Sequence, residues 1–435
     1  MGSCPKRHSR RPSPGVGSKS SIPSRRFLLC ICYLGFVSLG LPDTLIGVAW
    51  PSIRATFNLQ QSHIAWIFFG SGCSYFLSSF YAGRLLKIFN VGVLLAASSA
   101  VVALGGFNYS FATVWPWFAC GALLHGLGSG AIDSGLNHYV ASHFSARHMN
   151  WLHASYSLGA MLGPILMTAC VASNDSWRAG YFIVAVTLFT LSLLFLATKK
   201  HWDDGLSQNA SAEIRIPTSE PPHMPLPETI PASISAATVL RNRTVQLHII
   251  IFFIYTGLEV ALGQWSFTVL TESRAIDRET AGVWVSLYWA SILAGRIVFG
   301  FVVDRVGIDT LIRISLVAAL AGTLLFAWSP LPQIAPISLG ISGLGLAVVF
   351  PCLMTRTPQR FGKQIAAHAI GFQVGAAMLG AAAIPSLCGL VAQYGSLDAV
   401  ALAILILAAV LLLLHELLLF ATAGNVADAQ GIPQL

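Results

Sequence analysis

The chain has 435 residues, of which 55% are hydrophobic and only 10% charged, with a mean hydropathy of +0.70. Soluble domains carry charge on about a quarter of their residues, so this composition excludes a soluble protein and indicates a membrane one. The formal net charge of +8 would suit nucleic acid, but the placement of the basic residues follows a membrane orientation and implies no nucleic-acid partner.

A basic segment, 1–26, comes first and reads as a cytoplasmic tail. The apolar run behind it, "FLLCICYLGFVSLGLPDTLIGVAW", is long enough for a helix to cross a hydrocarbon core of roughly 30 Å. It contains Asp43 and lacks a small-residue cleavage site, so it reads as a retained span and not a signal peptide. Apolar runs then predict spans at 27–49, 62–86, 91–111, 114–142, 148–172, 176–198, 245–270, 280–303, 310–328, 332–355, 364–390 and 398–422. Barrel strands would be half that length and alternate in polarity, and these runs do neither.

A polar, proline-rich insert, 199–244, with "IPTSEPPHMPLPETIPAS" at its centre, has the composition of a linker without a packed core. It separates six spans (27–198) from six more (245–422), and 423–435 forms a second tail. With the N-terminus in the cytoplasm, only Arg54, Arg178, Arg274 and Arg278 of the 25 Lys and Arg fall outside. The positive-inside rule therefore predicts cytoplasmic termini and a cytoplasmic linker, with the cell membrane as the default location. Eight scattered cysteines show neither metal spacing nor a disulfide framework.

The two groups of spans echo each other. Tyr33-Leu34-Gly35 recurs as Tyr255-Thr256-Gly257, "HGLGSG" loosely as "SGLGLA", and "HASYSLGAMLG" as "HAIGFQVGAAMLG", at offsets of about 215 to 222 residues. Internal duplication in a helical membrane protein is a signature of secondary transporters, whose halves rock about a central site.

The stretch "AGRIVFGFVVDRVG" resembles the loop signature of the major facilitator superfamily, with Gly295, Arg296, Gly300, Asp304, Arg305 and Gly307 in place. Its first-half counterpart, "SSFYAGRLLKIF", keeps Arg84 but has Gly83 where the acid should stand. Within that superfamily, "LPDTLIGVAWPSI", "AIDSGLNHYV", "NWLHASYSLGAMLGP" and "YTGLEVALGQW" are similar to the fucose-permease-like branch. The resemblance implies an all-α membrane protein of twelve transmembrane helices in two six-helix bundles, with spans 1, 4, 7 and 10 around a cavity. It also implies that Asp43 and Asp133 serve substrate and proton coupling and that Asn137 is their polar partner. Tyr156 stands where sugar-carrying members have an asparagine, a departure that leaves the sugar open.

Few of the 17 acidic residues lie inside spans, yet Asp43, Asp133 and Glu259 sit one each on spans 1, 4 and 7. A carboxylate in the bilayer is costly and usually faces a bundle interior or a water-filled cavity, where its protonation can be used; the plainer alternative is an interhelical hydrogen bond. Asp133 and Asn137, four apart, share a helix face and can present an acceptor and an amide to one ligand. Tyr156, Gln264, Trp265, Tyr288, Trp289 and Gln373 are weaker candidates for contact with a polar solute, since membrane aromatics also serve packing. His125, His138, His153 and His368 offer either proton relay or helix-packing hydrogen bonds. The glycine pairs Gly126/Gly130 and Gly159/Gly163 make flat strips for close helix approach.

The loop residues Gly295, Arg296, Gly300, Asp304, Arg305 and Gly307, with Arg84, are expected to act as a conformational latch. No Walker sequence, nucleophile elbow or zinc motif is present, so the sequence predicts no enzyme, no cofactor and no metal. The expected protein is a monomeric secondary active transporter of a small, sugar-like solute, coupled to protons through Asp43 and Asp133. An efflux pump of the same superfamily is the alternative, and a non-transporting receptor or scaffold a remoter one.

Overall fold

A computed structural model describes residues 25–144, 146–173, 176–202, 235–328 and 331–430, and within these ranges a few side chains, Asp304 among them, lie outside the described set. Twelve spanning helices run through the described residues. The first, α1, is two segments in line, Arg25–Asp43 and Leu45–Phe57, joined at Thr44. It is followed by α2 (Ile64–Ile88), α3 (Val91–Phe111), α4 (Trp115–His143), α5 (Ala146–Ala172) and α6 (Trp177–Thr198). The second half holds α7 (Arg243–Thr268), α8 (Arg278–Val306), α9 (Ile308–Trp328), α10 (Ile334–Gly362), α11 (His368–Tyr394) and α12 (Leu397–Gln430). The first span runs past the predicted residue 49 because Pro51 is accommodated inside its second segment.

Ten helices among the described residues are long and apolar enough to cross a membrane by composition alone. The other two, α2 and α4, have 25 and 29 residues but are more polar. They pack on each other, which explains the polarity. A Cβ at Gly126 would overlap the carbonyl oxygen of Ser71, and Ser79 Oγ donates to the carbonyl of Gly130 at 3.1 Å. Small and hydroxylated residues let the two backbones close, the way helices associate where hydrophobicity gives no preference. Gly159 uses the same device against the Val37 carbonyl of α1.

Helix pairing repeats between the halves: α1–α5, α2–α4, α3–α4 and α3–α6 correspond to α7–α11, α8–α10, α9–α10 and α9–α12. The halves meet along α5–α8 and α2–α11, contacts that a pseudo-two-fold axis exchanges, and along the second segment of α1 against α7. Here the near end denotes the side carrying Arg25 and Thr198, and the far end the side of the α1–α2 turn. At the far end Arg54 of α1 grips both carboxylate oxygens of Glu272 beyond α7, at 2.6 and 2.7 Å, and Gln61 joins at 3.1 Å. Gln393 of α11 bonds Gln60 at 2.7 Å and the amide of Ser62 at 3.2 Å. Among the described residues, every hydrogen bond between the halves lies at this far end or at mid-membrane.

Two arginines close helix ends there. Arg178 donates to the carbonyls of Ser110 and Ala112 at the C-terminus of α3, at 2.9 and 2.6 Å, while Arg274 donates to that of Phe326 near the end of α9 at 2.5 Å. These cations satisfy orphan carbonyls and complement the negative helix terminus.

Candidate functional site

The break at Thr44 leaves Asp43 at mid-membrane with its main-chain carbonyl outside the helix ladder. Thr44 Oγ1 holds the break against α5 by donating to the Ala160 carbonyl at 3.1 Å. The freed carbonyl of Asp43 accepts from Gln264 Nε2 of α7 at 2.7 Å, a bond between the halves. Gly47 makes that approach feasible, since a Cβ there would sit 2.7 Å from Gln264 Oε1. The Asp43 side chain meets two more helices: Tyr156 of α5 donates to Oδ2 at 2.9 Å, and His125 Nε2 of α4 lies 3.3 Å from Oδ1.

Asp133 lies two turns along α4 from His125. Asn137 Nδ2 donates to its Oδ1 at 3.0 Å, as the four-residue spacing predicts. Tyr75 of α2 stands beside Asp133 and within the electrostatic reach of Asp43 and Tyr156, so the four groups form one polar chain. All are half-buried.

The second-half cluster is tighter. Glu259 is 7% exposed. Tyr255 donates to its carboxylate, Arg296 Nη2 lies 3.5 Å from Oε1, and the Tyr288 hydroxyl donates to its carbonyl at 2.9 Å. Arg296 also crosses to α5, donating to Ser157 Oγ at 2.7 Å and to the His153 carbonyl at 3.2 Å. Tyr156, adjacent to Ser157, bonds Asp43, so α5 links the two clusters.

Several residues singled out by sequence stand elsewhere. Arg296, grouped with the loop latch, lies ten residues before the end of α8 at Val306, roughly 15 Å along the axis, and belongs to the central cluster. Trp265 donates to the Pro385 carbonyl at 2.9 Å and ties α7 to α11, while Trp289 packs on Gly263. Gln373 sits toward the near end of α11, accepting from Thr357 at 3.0 Å and facing His248 at 3.3 Å. His248 in turn meets Arg360 at 3.0 Å, and Arg360 pairs with Asp309 at 2.8 Å beside Arg356. His138 and His368 are exposed, and the His153 ring packs edge-on against Phe36 at 5.4 Å.

Of the latch residues, Gly295 packs against Ala347, and Gly307 has φ +82°, a left-handed turn after α8 that favours glycine. Arg305 is exposed, and Arg84 lies 5.5 Å from the centroid of the Tyr81 ring. The side chain of Asp304 lies outside the described residues, and Gly300 is placed only as part of α8. Tyr75 and Ser157 escape a reading of the sequence; neither stands at a spacing that marks it, and helix register alone brings each to its partner. No group of three or more His, Cys, Asp or Glu among the described residues is placed to hold a metal ion.

Two repeated six-helix halves around a mid-membrane cluster of paired polar groups have the architecture of a membrane transporter. The chain belongs to the Major Facilitator Superfamily, whose family pattern matches residues 32–332 and 247–433. It is 24% identical over 406 residues to "Sodium-dependent glucose transporter 1" of Homo sapiens, covering 83% of this chain and 72% of that one. It is 22% identical to "Glucose/mannose transporter GlcP" of Bacillus subtilis, covering 74% of this chain and 78% of that one. "Bypass of stop codon protein 6" of Saccharomyces cerevisiae is 26% identical over 66% of this chain, which spans only 59% of that protein's length. Among solved structures a point mutant of the nucleoside transporter NupG superposes with a TM-score of 0.71 at 14% identity, covering 90% of this chain and 99% of that one. A bacterial homolog to the human lysosomal transporter Spinster, inward-facing and unoccupied, gives 0.71 at 12% identity, with 92% and 98% covered.

Proposed function

We propose that the protein moves a small polar solute of the sugar class by alternating access, coupled to protons through Asp43 and Asp133. One observation carries this: at a helix break in mid-membrane, Asp43 contacts α4, α5 and, across the halves, α7. A group so placed feels both the solute and the relative position of the halves. Asp133, Asn137, Tyr156, Gln264 and Glu259 supply the acceptors, amides and hydroxyl that a polyhydroxylated solute requires. The bonded far end represents one state of the cycle, and opening it requires Arg54–Glu272 and Gln393–Gln60 to part. Relatives named for glucose and mannose support the sugar class. Trp265 and Trp289 are engaged in packing, which weighs against an aromatic-lined drug exporter.

The basic-residue distribution supports cytoplasmic placement of the near end, residues 199–244 and both tails in a cell membrane. Cysteine labelling of intact cells at positions 174 and 209, which lie outside the described residues, tests it: the first is modified from outside and the second is not.

The transport test is uptake of D-glucose and D-mannose by purified protein in proteoliposomes under an imposed pH or sodium gradient. Accumulation on the pH gradient is expected. Accumulation on the sodium gradient alone, the coupling in the name of the human relative, replaces the proton. Saturable binding with no flux under either gradient makes the protein a receptor.

A further inference from the structure

His125 has no part in the scheme above, although it is the basic group closest to Asp43 among its described contacts. Its side chain is 12% exposed against 32% for Asp43, so the carboxylate is the more accessible of the two and the imidazole the more buried. The ring is fixed at Nδ1, 3.2 Å from Ser71 Oγ of α2, while its buried Nε2 makes no hydrogen bond and lies 3.3 Å from Asp43 Oδ1. The adjacent Gly126 is what admits Ser71, because it lets the α4 backbone rest on the Ser71 carbonyl.

We propose that His125 is the proton-holding partner of Asp43, with Asp43 as the port and the imidazole as the store. The inference deepens the proton-coupled reading and rests on it. In the neutral ring Nδ1–H donates to Ser71 Oγ, and the Nε2 lone pair, which has no hydrogen bond, faces Asp43 Oδ1. When a proton arrives on Asp43, it passes to the ring: the Oδ1–H bond breaks, the Nε2–H bond forms, and the imidazolium is left in charge-assisted contact with the carboxylate while Nδ1–H stays on Ser71. One proton is gained and none lost, and its departure through Asp43 reverses the same steps.

The titratable groups around the pair are Tyr75 from α2, Tyr109 from α3, Tyr156 from α5 and, on the histidine's own helix, Asp133. The tyrosines are neutral phenols near neutral pH, so Asp133 is the one additional charge among the described groups that this pair senses from its own half. That arrangement lets occupancy of Asp133 report on the pair and keeps the two acids in one proton path.

The test begins without solute. In purified protein, infrared titration follows the carboxyl band of Asp43, identified by its loss in Asp43→Asn. His125→Gln, which keeps a neutral donor but cannot hold a second proton, is expected to move that band's midpoint by about one pH unit or more. An unmoved midpoint in folded His125→Gln overturns the proposal. In proteoliposomes with D-glucose, the same variant is expected to retain exchange and lose about tenfold in pH-driven accumulation, while Ser71→Ala changes the pH profile with a smaller loss. Accumulation in His125→Gln with the parent's pH profile overturns the histidine's role and leaves the proton-coupled reading standing. A parent that accumulates nothing on a pH gradient overturns both.

Discussion

The acids of the two halves occupy opposite surroundings. Asp43 is met by a hydroxyl and an imidazole, and Asp133 by an amide and a phenol, with no arginine at either among the described residues. Glu259 is enclosed by a guanidinium and a tyrosine and is 7% exposed. On the proton-coupled reading proposed above, Asp43 and Asp133 are the carriers of one half, while Glu259, tied to Arg296, is a strut of the other, and Arg296 extends that strut across to α5.

The largest expected effect tests the carrier side. Asp133→Asn leaves Asn137 and Tyr75 a neutral partner but cannot release a proton, so it should abolish pH-driven accumulation while exchange of solute continues. Asp43→Asn should do the same, with added loss of solute affinity because the amide keeps only one acceptor oxygen to serve both Tyr156 and the solute. Proteoliposomes of Asp133→Asn that accumulate solute like the parent would reduce that residue to a structural hydrogen-bond partner.

On the strut side the penalty falls on stability. Arg296→Gln leaves Glu259 buried without a cation, and breaking one member of such a pair costs about 3–5 kcal/mol. Glu259→Gln with Arg296→Gln removes both charges and should recover part of that loss. Thermal unfolding in detergent separates the outcomes: a single variant as stable as the parent would show that the pair carries little, and Glu259 would then belong with the carriers.

Much of this contrast lies beyond the sequence, for reasons tied to particular residues. The helices and their duplication are legible because bilayer thickness imposes length and apolarity, and even α2 and α4 can be read despite their serines and glycines. Asp133 with Asn137 is legible because four residues make about one helical turn. Asp43 with His125 is not, because the partners are on different helices and only packing sets their register. Arg296 misleads because its motif resembles a loop signature, whereas α8 continues ten residues further to Val306. Gln373 looks like a cavity amide for a similar reason: depth along α11, which begins at His368 in the apolar span, decides which end it serves.

A smaller effect concerns the far-end seal. Arg54 and Glu272 have side chains 28% and 27% exposed, and pairs in such surroundings contribute up to about 1 kcal/mol. Arg54→Gln should therefore raise the population open at the far end by at most about fivefold, read as a longer spin-label distance between the outer ends of α1 and α7. No change in that distribution would assign the closure to Gln393 and its contacts with Gln60 and Ser62 instead.

The smallest effect compares the two arginines that cap the third helix of each half. Arg178 reaches two carbonyls and lies 4.4 Å from the Trp177 ring centroid, whereas Arg274 reaches one carbonyl, lies 4.6 Å from the Phe326 ring centroid and has a buried Nη1 without a hydrogen bond. A cation at a helix C-terminus contributes about 0.3–1 kcal/mol, more when the site is partly buried. Arg178→Gln should lower the unfolding midpoint more than Arg274→Gln, because it frees two carbonyls and a stacked ring while the other substitution also relieves an unpaired donor. Transport should survive both, since neither arginine contacts the mid-membrane cluster. Equal losses of stability would mean that the local bonds do not set the cost, and a loss of transport in Arg178→Gln alone would tie the end of α3 to the movement of the halves.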